Sequence, residues 1–482
     1  MRIHVIGVAG TGMGALAGLL VELGHEVTGS DVAFDPPIGP ELQKWGIVCK
    51  GGFDPRHLEP APELVVVGNV CRRDNPEAVH AFEQKLAVTH IAGALERFVL
   101  PGTVPLVVAG THGKTTTSAL AAWLLEATGA APGFLIGGLP KNFGRSFRAP
   151  QRRLPQADRP EPRRPFVIEG DEYDTAFFEK TAKFLHYRAQ VAIVTSIEHD
   201  HVDIYPTLQS YVAAFSEFVA RVPSEGLIVA NAADERVVEV VTANARAQVA
   251  WYALEGDSTH GASPHWLAAP AGGDARAQLF DLYAGGVAAG RFALPLHGRH
   301  NLANALSALG AVAQGFGAPL DAAARALSGF RGVARRLDLL GEPRSISVYD
   351  DFAHHPSAVS ATLSALRSRH PGGRLLAVFE PRSATACRSL HQAEYARSFA
   401  AADEVLLPPL GRSIAPGESL DLTRLVDELR AGGKAARAFP DVSAIVAYLA
   451  EHARPGDVIA LLSNGAFGGI HGKLLAALGR GE

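Results

Sequence analysis

Short apolar runs, each closed by glycine or polar residues and followed by an Ala/Leu-rich helical stretch, recur from one end of the chain to the other. Residues 104–108 (VPLVV) break into GTHGKTT and then into SALAAWLLEATG, a pattern that predicts a buried strand, a tight loop and a buried helix. IHVIG, ELVVVGN, FVIEG, QVAIV, RLLAVF, DEVLL and DVIALL behave the same way, and strands alternating with helices predict parallel α/β sheets. Residues 255–292 carry little periodicity and read as a variable hairpin region. The expected organisation is three α/β units, at 1–103, 104–330 and 331–482, with no internal repeat.

Composition narrows the class. The 482 residues are 47% hydrophobic and 20% charged with a net charge of −4, which suits a globular protein of several domains and gives no basic stripe for nucleic acid. Cys49, Cys71 and Cys387 form no paired spacing, as expected in a reducing cytosol. MRIHVIG reads as a strand running into a glycine turn, and no apolar run approaches the ~18 residues a membrane span needs. A cytoplasmic protein without membrane or nucleic-acid partners is expected, as a monomer or weak homodimer. The Pro/Arg-rich tract at 148–165 reads as an exposed insertion.

Candidate chemistry centres on Gly110-Thr111-His112-Gly113-Lys114-Thr115-Thr116. Backbone N–H groups and a helix N-terminus there cradle phosphates, Lys114 reaches the outer phosphates and the Thr115 hydroxyl suits Mg²⁺. Position 108 is Val where the usual pattern has Gly. Two later strands end in acids and imidazoles: Glu169, Asp171, Glu172 and Asp174, then Glu198, His199, Asp200, His201 and Asp203. At carboxyl ends of parallel strands these are candidates for metal-assisted phosphoryl chemistry. Asn301 and Asn304 lie on one face near a helix start, as caps or as readers of an adenine edge. Residues 7–14 (GVAGTGMG) follow the first strand and Asp31 closes the second, a βαβ start resembling a dinucleotide fold.

The order GxxGTGMG, GTHGKTTT, EGDEYD, IEHDHVD, HNLANA, RRLDLL and DDFAHHP resembles the Mur ligase family, the ATP-dependent amide ligases of peptidoglycan assembly, over essentially the whole chain. The resemblance implies a Rossmann-like UDP-binding domain, a central P-loop ATPase-like domain and a C-terminal doubly wound α/β domain. It implies ATP as co-substrate, Mg²⁺, and activation of the UDP-N-acetylmuramate carboxylate as an acyl phosphate that an amine attacks. EGDEYDTAFFEKTAKFLHY, FEPRSAT and SNGAFGGIHGKLL are similar to the branch that joins the murein tripeptide L-Ala-γ-D-Glu-meso-diaminopimelate; the branch taking L-alanine is the alternative, and an NAD-dependent oxidoreductase with an accessory ATPase domain a remote one.

Carried onto this chain, the resemblance puts Thr115, Glu172 and His201 at metal, with Lys114, Glu172, His201 and His354 as the catalytic set. Asn301, Asn304, Arg336 and Asp351 complete the ATP site. Gly10, Thr11, Gly12, Met13, Asp31 and Asn69 would bind the UDP-sugar, and His355, Arg382, Ser463 and Asn464 the peptide. Relatives for the D-glutamate and diaminopimelate steps use a carbamoylated lysine after the IExDHxD segment; AAFSEFV offers none here.

Overall fold

The computed structural model describes residues 1–35, 38–151, 164–415 and 417–479. Most of the Pro/Arg-rich tract therefore lies outside the described residues. Three sheets carry the chain. The first is five-stranded and all parallel, ordered Val48–Gly51, Glu26–Asp31, Arg2–Ile6, Leu64–Val67, Val88–His90. Its central strand is buried on both faces, which is why IHVI is continuously apolar except for His4.

The second sheet has ten strands. Its parallel core places Thr103–Ala109 between Val191–Val194 and Arg164–Gly170, so the phosphate-loop strand has an acid-ended strand on each side. The weakly patterned 255–292 region joins this sheet. Trp266–Gly273 pairs parallel with Gln248–Leu254, and Gln278–Ala284 and Val287–Leu294 add antiparallel strands at the edge. Their outer positions face solvent, which explains the sparse apolar signal.

The third sheet is six-stranded and parallel but for one edge strand, Asp338–Gly341, antiparallel to Ser347–Asp351. Its other edge, Ala435–Ala438, has the sequence AARA, too short and small to stand out as a strand in the chain. Each sheet packs helices on its faces over an apolar core, the doubly wound arrangement that gathers ligands at carboxyl strand ends. Among the described residues no helix is long and apolar enough to cross a membrane.

Candidate active site

The strand Thr103–Ala109 delivers the chain into a loop that only glycine fits at two points. Gly110 has φ +139°, and a Cβ there would sit 2.0 Å from the Thr195 hydroxyl oxygen; Gly113 has φ +82° and would put its Cβ 2.4 Å from Asn304 Oδ1. The helix Lys114–Ala127 begins immediately after, with no side-chain cap. Its first-turn N–H groups are the kind that await an anion. Asn304 thus lies directly against the phosphate loop, while the buried Asn301 amide donates to the His297 carbonyl at 2.9 Å.

Lys114 folds back into this loop. Its ammonium donates to the Gly110 carbonyl (2.6 Å) and to both Glu172 oxygens (3.1 and 2.9 Å). Glu172 is fully buried and also accepts from Tyr211 (3.1 Å), with His201 Nε2 at 3.1 Å. Burial opposes charge on all three groups, but the pairing outweighs it. Glu172 stays below the usual carboxylate range, held by Lys114 and His201, and Lys114 and His201 both rise, held by Glu172. His201 is itself aimed by a left-handed backbone, φ +54°.

Thr115 meets a different acid. Its hydroxyl donates to Glu169 Oε1 at 2.9 Å, and Glu169 Oε2 accepts the Gly137 N–H at 2.7 Å. Arg336, from beyond the central sheet, donates to the Thr115 hydroxyl at 3.1 Å. The acid beside Thr115 is therefore Glu169, three residues before the Glu172 that the family resemblance put there. Thr116 is buried on the same turn.

His112 turns away from the loop to Glu198, Nε2 to Oε2 3.0 Å. The same carboxylate accepts from the Ser357 hydroxyl and has His355 Nδ1 at 3.2 Å. Burial would raise Glu198, yet His112, Ser357 and His355 hold it down at about 2, while burial and the neighbouring His112 push His355 down to about 3. His354 Nε2 lies 3.8 Å from Asp200, its Nδ1 3.1 Å from the Phe352 carbonyl, and burial lowers it. The histidines after Ser347–Asp351 thus reach the acids of the central sheet. Asp351 is engaged locally, accepting from Leu337 N–H (2.6 Å), Ala353 N–H (2.9 Å) and Thr362 (3.1 Å).

The remaining candidates form two further groups. Gly10 caps the helix Thr11–Glu22, with Met13 buried behind it, and Asp31 ties that turn by accepting the Ala9 N–H at 2.9 Å. Gly12 is exposed on the helix's first turn and Asn69 half-buried after the strand Leu64–Val67. On the third sheet Arg382 is exposed, wedged between Gly411 and Gly465; a Cβ on Gly465 would fall 2.2 Å from Arg382 Cδ. Ser463 bonds Glu380, and the buried Asn464 Oδ1 has no hydrogen-bond partner among the described residues. Tyr205, whose hydroxyl donates to the Glu172 carbonyl at 2.6 Å, Tyr211 and Ser357 escaped the motif reading; only the folded arrangement of the strands brings them in.

A phosphate loop with flanking acids, entered by groups from a third α/β unit, defines a nucleotide-dependent enzyme of three domains. Residues 2–101, 108–312 and 335–465 match, in order, the Mur ligase family catalytic domain, the Mur ligase middle domain and the Mur ligase glutamate ligase domain. The chain belongs to the Mur ligase family, and is an ATP-dependent ligase that forms a C–N bond.

Among its relatives, the UDP-N-acetylmuramate–L-alanyl-γ-D-glutamyl-meso-2,6-diaminoheptandioate ligase of Escherichia coli K12 is 40% identical over 481 residues, covering 100% of this chain and 99% of that protein. A murein peptide ligase of Psychrobacter arcticus 273-4, solved as a crystal structure, is 34% identical with a TM-score of 0.73, covering 99% of each chain. The UDP-N-acetylmuramate–L-alanine ligase of Rubrobacter xylanophilus is 33% identical, covering 99% of this chain and 100% of that protein.

Proposed function

We propose that this chain joins UDP-N-acetylmuramate to L-Ala-γ-D-Glu-meso-diaminopimelate, consuming ATP and releasing ADP and phosphate. The chemistry rests on one observation: Lys114, Thr115, Glu169, Glu172, His201 and Arg336 converge on a single phosphate loop. The choice of tripeptide is supported by the 40% identical, full-length relative named for it.

A carboxylate is a poor acylating agent, so the sugar's lactoyl carboxylate must first take the γ-phosphoryl group as a mixed anhydride. That step brings two anions together, and neutralising them is the protein's main task. With ATP bound, Lys114 would leave Glu172 for the phosphates, and Arg336 would add a second positive charge beside Thr115. The hard oxygen donors Thr115 and Glu169 suit Mg²⁺, and Glu172 with His201 suits a second divalent ion; the tight Lys114–Glu172 pair is the compensation such acids need without one. Mg²⁺ supplies charge neutralisation along the phosphates. The helix Leu208–Arg221 has no lysine to form a carbamate, and its Tyr211 contacts Glu172 instead.

The free amine of the peptide would then attack the acyl phosphate beside His354 and His355, with phosphate as leaving group. Arg382, exposed and slotted between two glycines, is suited to a peptide carboxylate, with Ser463 and Asn464 nearby on the same sheet edge. Gly10, Thr11, Gly12, Met13, Asp31 and Asn69 would hold the UDP-sugar. The test is phosphate release with UDP-N-acetylmuramate and ATP, offering the tripeptide against L-alanine. Preference for the tripeptide is expected; preference for L-alanine overturns the reading.

A further inference from the structure

The N-terminal unit buries a carboxylate that no motif explains. Glu77 is fully buried on the helix Pro76–Glu83, and among the described residues no lysine or arginine pairs with it. Its oxygens are met instead by four polar groups. Oε1 accepts the Asp54 N–H at 3.1 Å and has His57 Nδ1 at 2.7 Å. Oε2 accepts from the Ser30 hydroxyl and has His4 Nε2 at 3.3 Å. His4 is itself buried, its other nitrogen 2.7 Å from the Thr28 hydroxyl.

Burying a carboxylate is costly unless its oxygens are hydrogen-bonded. What such a group supplies is a fixed arrangement of everything bonded to it. Apart from His4, in the middle of the central strand, the segments it ties lie at the carboxyl edge of the first sheet. Ser30 is the penultimate residue of Glu26–Asp31, and its carbonyl accepts the Gly7 and Val8 N–H groups at 2.8 and 3.1 Å. Asp31, next in line, accepts the Ala9 N–H. Asp54 and His57 belong to the segment that follows Val48–Gly51, and Glu77 itself opens the helix after the Leu64–Val67 strand. The end of the second strand, which the glycine turn bonds, and the 51–57 segment are thus tied to one side chain. Burial pushes the Glu77 carboxyl up, but the bonds from His4, Ser30 and Asp54 outweigh it and keep it ionised.

We infer that Glu77 is a positioning residue for the sugar-nucleotide pocket: it sets the glycine turn and the 51–57 segment in the geometry that binds the nucleotide without touching it. The inference rests on the reading that this unit holds the UDP-sugar. An amide at 77 keeps the volume but turns one acceptor into a donor. With its oxygen kept on the Asp54 N–H, which can only donate, its NH2 faces the Ser30 hydroxyl, which must reverse from donor to acceptor, so the tie to the end of the second strand weakens first.

The test compares the full-length wild type with Glu77→Gln and His57→Ala, the second being the milder change should the first not fold. Steady-state rates are measured against UDP-N-acetylmuramate and against ATP, and UDP binding by calorimetry. The expected result is a KM for UDP-N-acetylmuramate raised about tenfold in Glu77→Gln and a few-fold in His57→Ala. UDP affinity should fall in parallel, with kcat and the KM for ATP within twofold. A merely structural role would lower the active fraction and melting temperature but leave both KM values unchanged, and that result overturns the inference. Wild type that binds no UDP would instead overturn the reading of the unit on which it rests.

Discussion

At the scale of single residues, the site is a set of burial penalties cancelled in pairs. Lys114 and Glu172 offset each other's burial, with His201 as a second partner for Glu172. Replacing Lys114 by Met therefore leaves Glu172 with His201 and Tyr211 as its side-chain partners and removes the cation proposed to meet the phosphates. The expected outcome is a fall in kcat of about 10³-fold, read as ADP formation, with the fold retained by circular dichroism. A second experiment addresses Glu169. Glu169→Gln touches Thr115, so the Mg²⁺ concentration giving half-maximal rate should rise by about tenfold. Equal metal dependence in wild type and variant would move the metal away from Glu169. The acids themselves were legible in EGDEYD, but which one meets Thr115 was not. That depends on how the strand end turns after Glu169, a matter of three residues and one bend.

At the scale of elements, the strand and helix pattern was largely readable, because buried parallel strands are apolar throughout and end abruptly at polar groups. The exceptions are edge elements. Ala435–Ala438 and the Trp266–Leu294 meander present one face to solvent or have little side chain to signal with, so their sheet membership is decided by neighbours distant in sequence. The phosphate loop was readable for the opposite reason, since its glycines are required by backbone geometry. Gly110→Ala would strain a φ of +139° and collide with Thr195. The variant is expected to lose about 1–3 kcal/mol of stability by chemical denaturation and most of its ATP affinity by calorimetry.

At the scale of the whole molecule, the third unit is docked on the central one through polar contacts that no local pattern announces. Glu198 is the busiest of them, linking His112 of the phosphate loop to Ser357 and His355. Its carboxyl is held at about 2, below its value in an unfolded chain, so the stability it contributes is complete above pH ~4.5 and is lost as pH falls through about 2. Denaturation midpoints of wild type should therefore drop between pH 4.5 and 2.5. Those of Glu198→Gln should start lower and change less over the same range.

The short stretch between the two units holds adjacent arginines that face opposite ways. Arg335, at φ +61°, grips the carbonyls of Ser463 and Gly465 at 2.7 Å each, while Arg336 extends to Thr115. One peptide bond thus joins the contact with the Ser463–Gly465 turn to the contact with Thr115 of the phosphate loop. With the outer unit held apart from the central one, Thr115 would lose this arginine, so the proposed transfer of the γ-phosphoryl group would wait until the acceptor half of the enzyme had arrived.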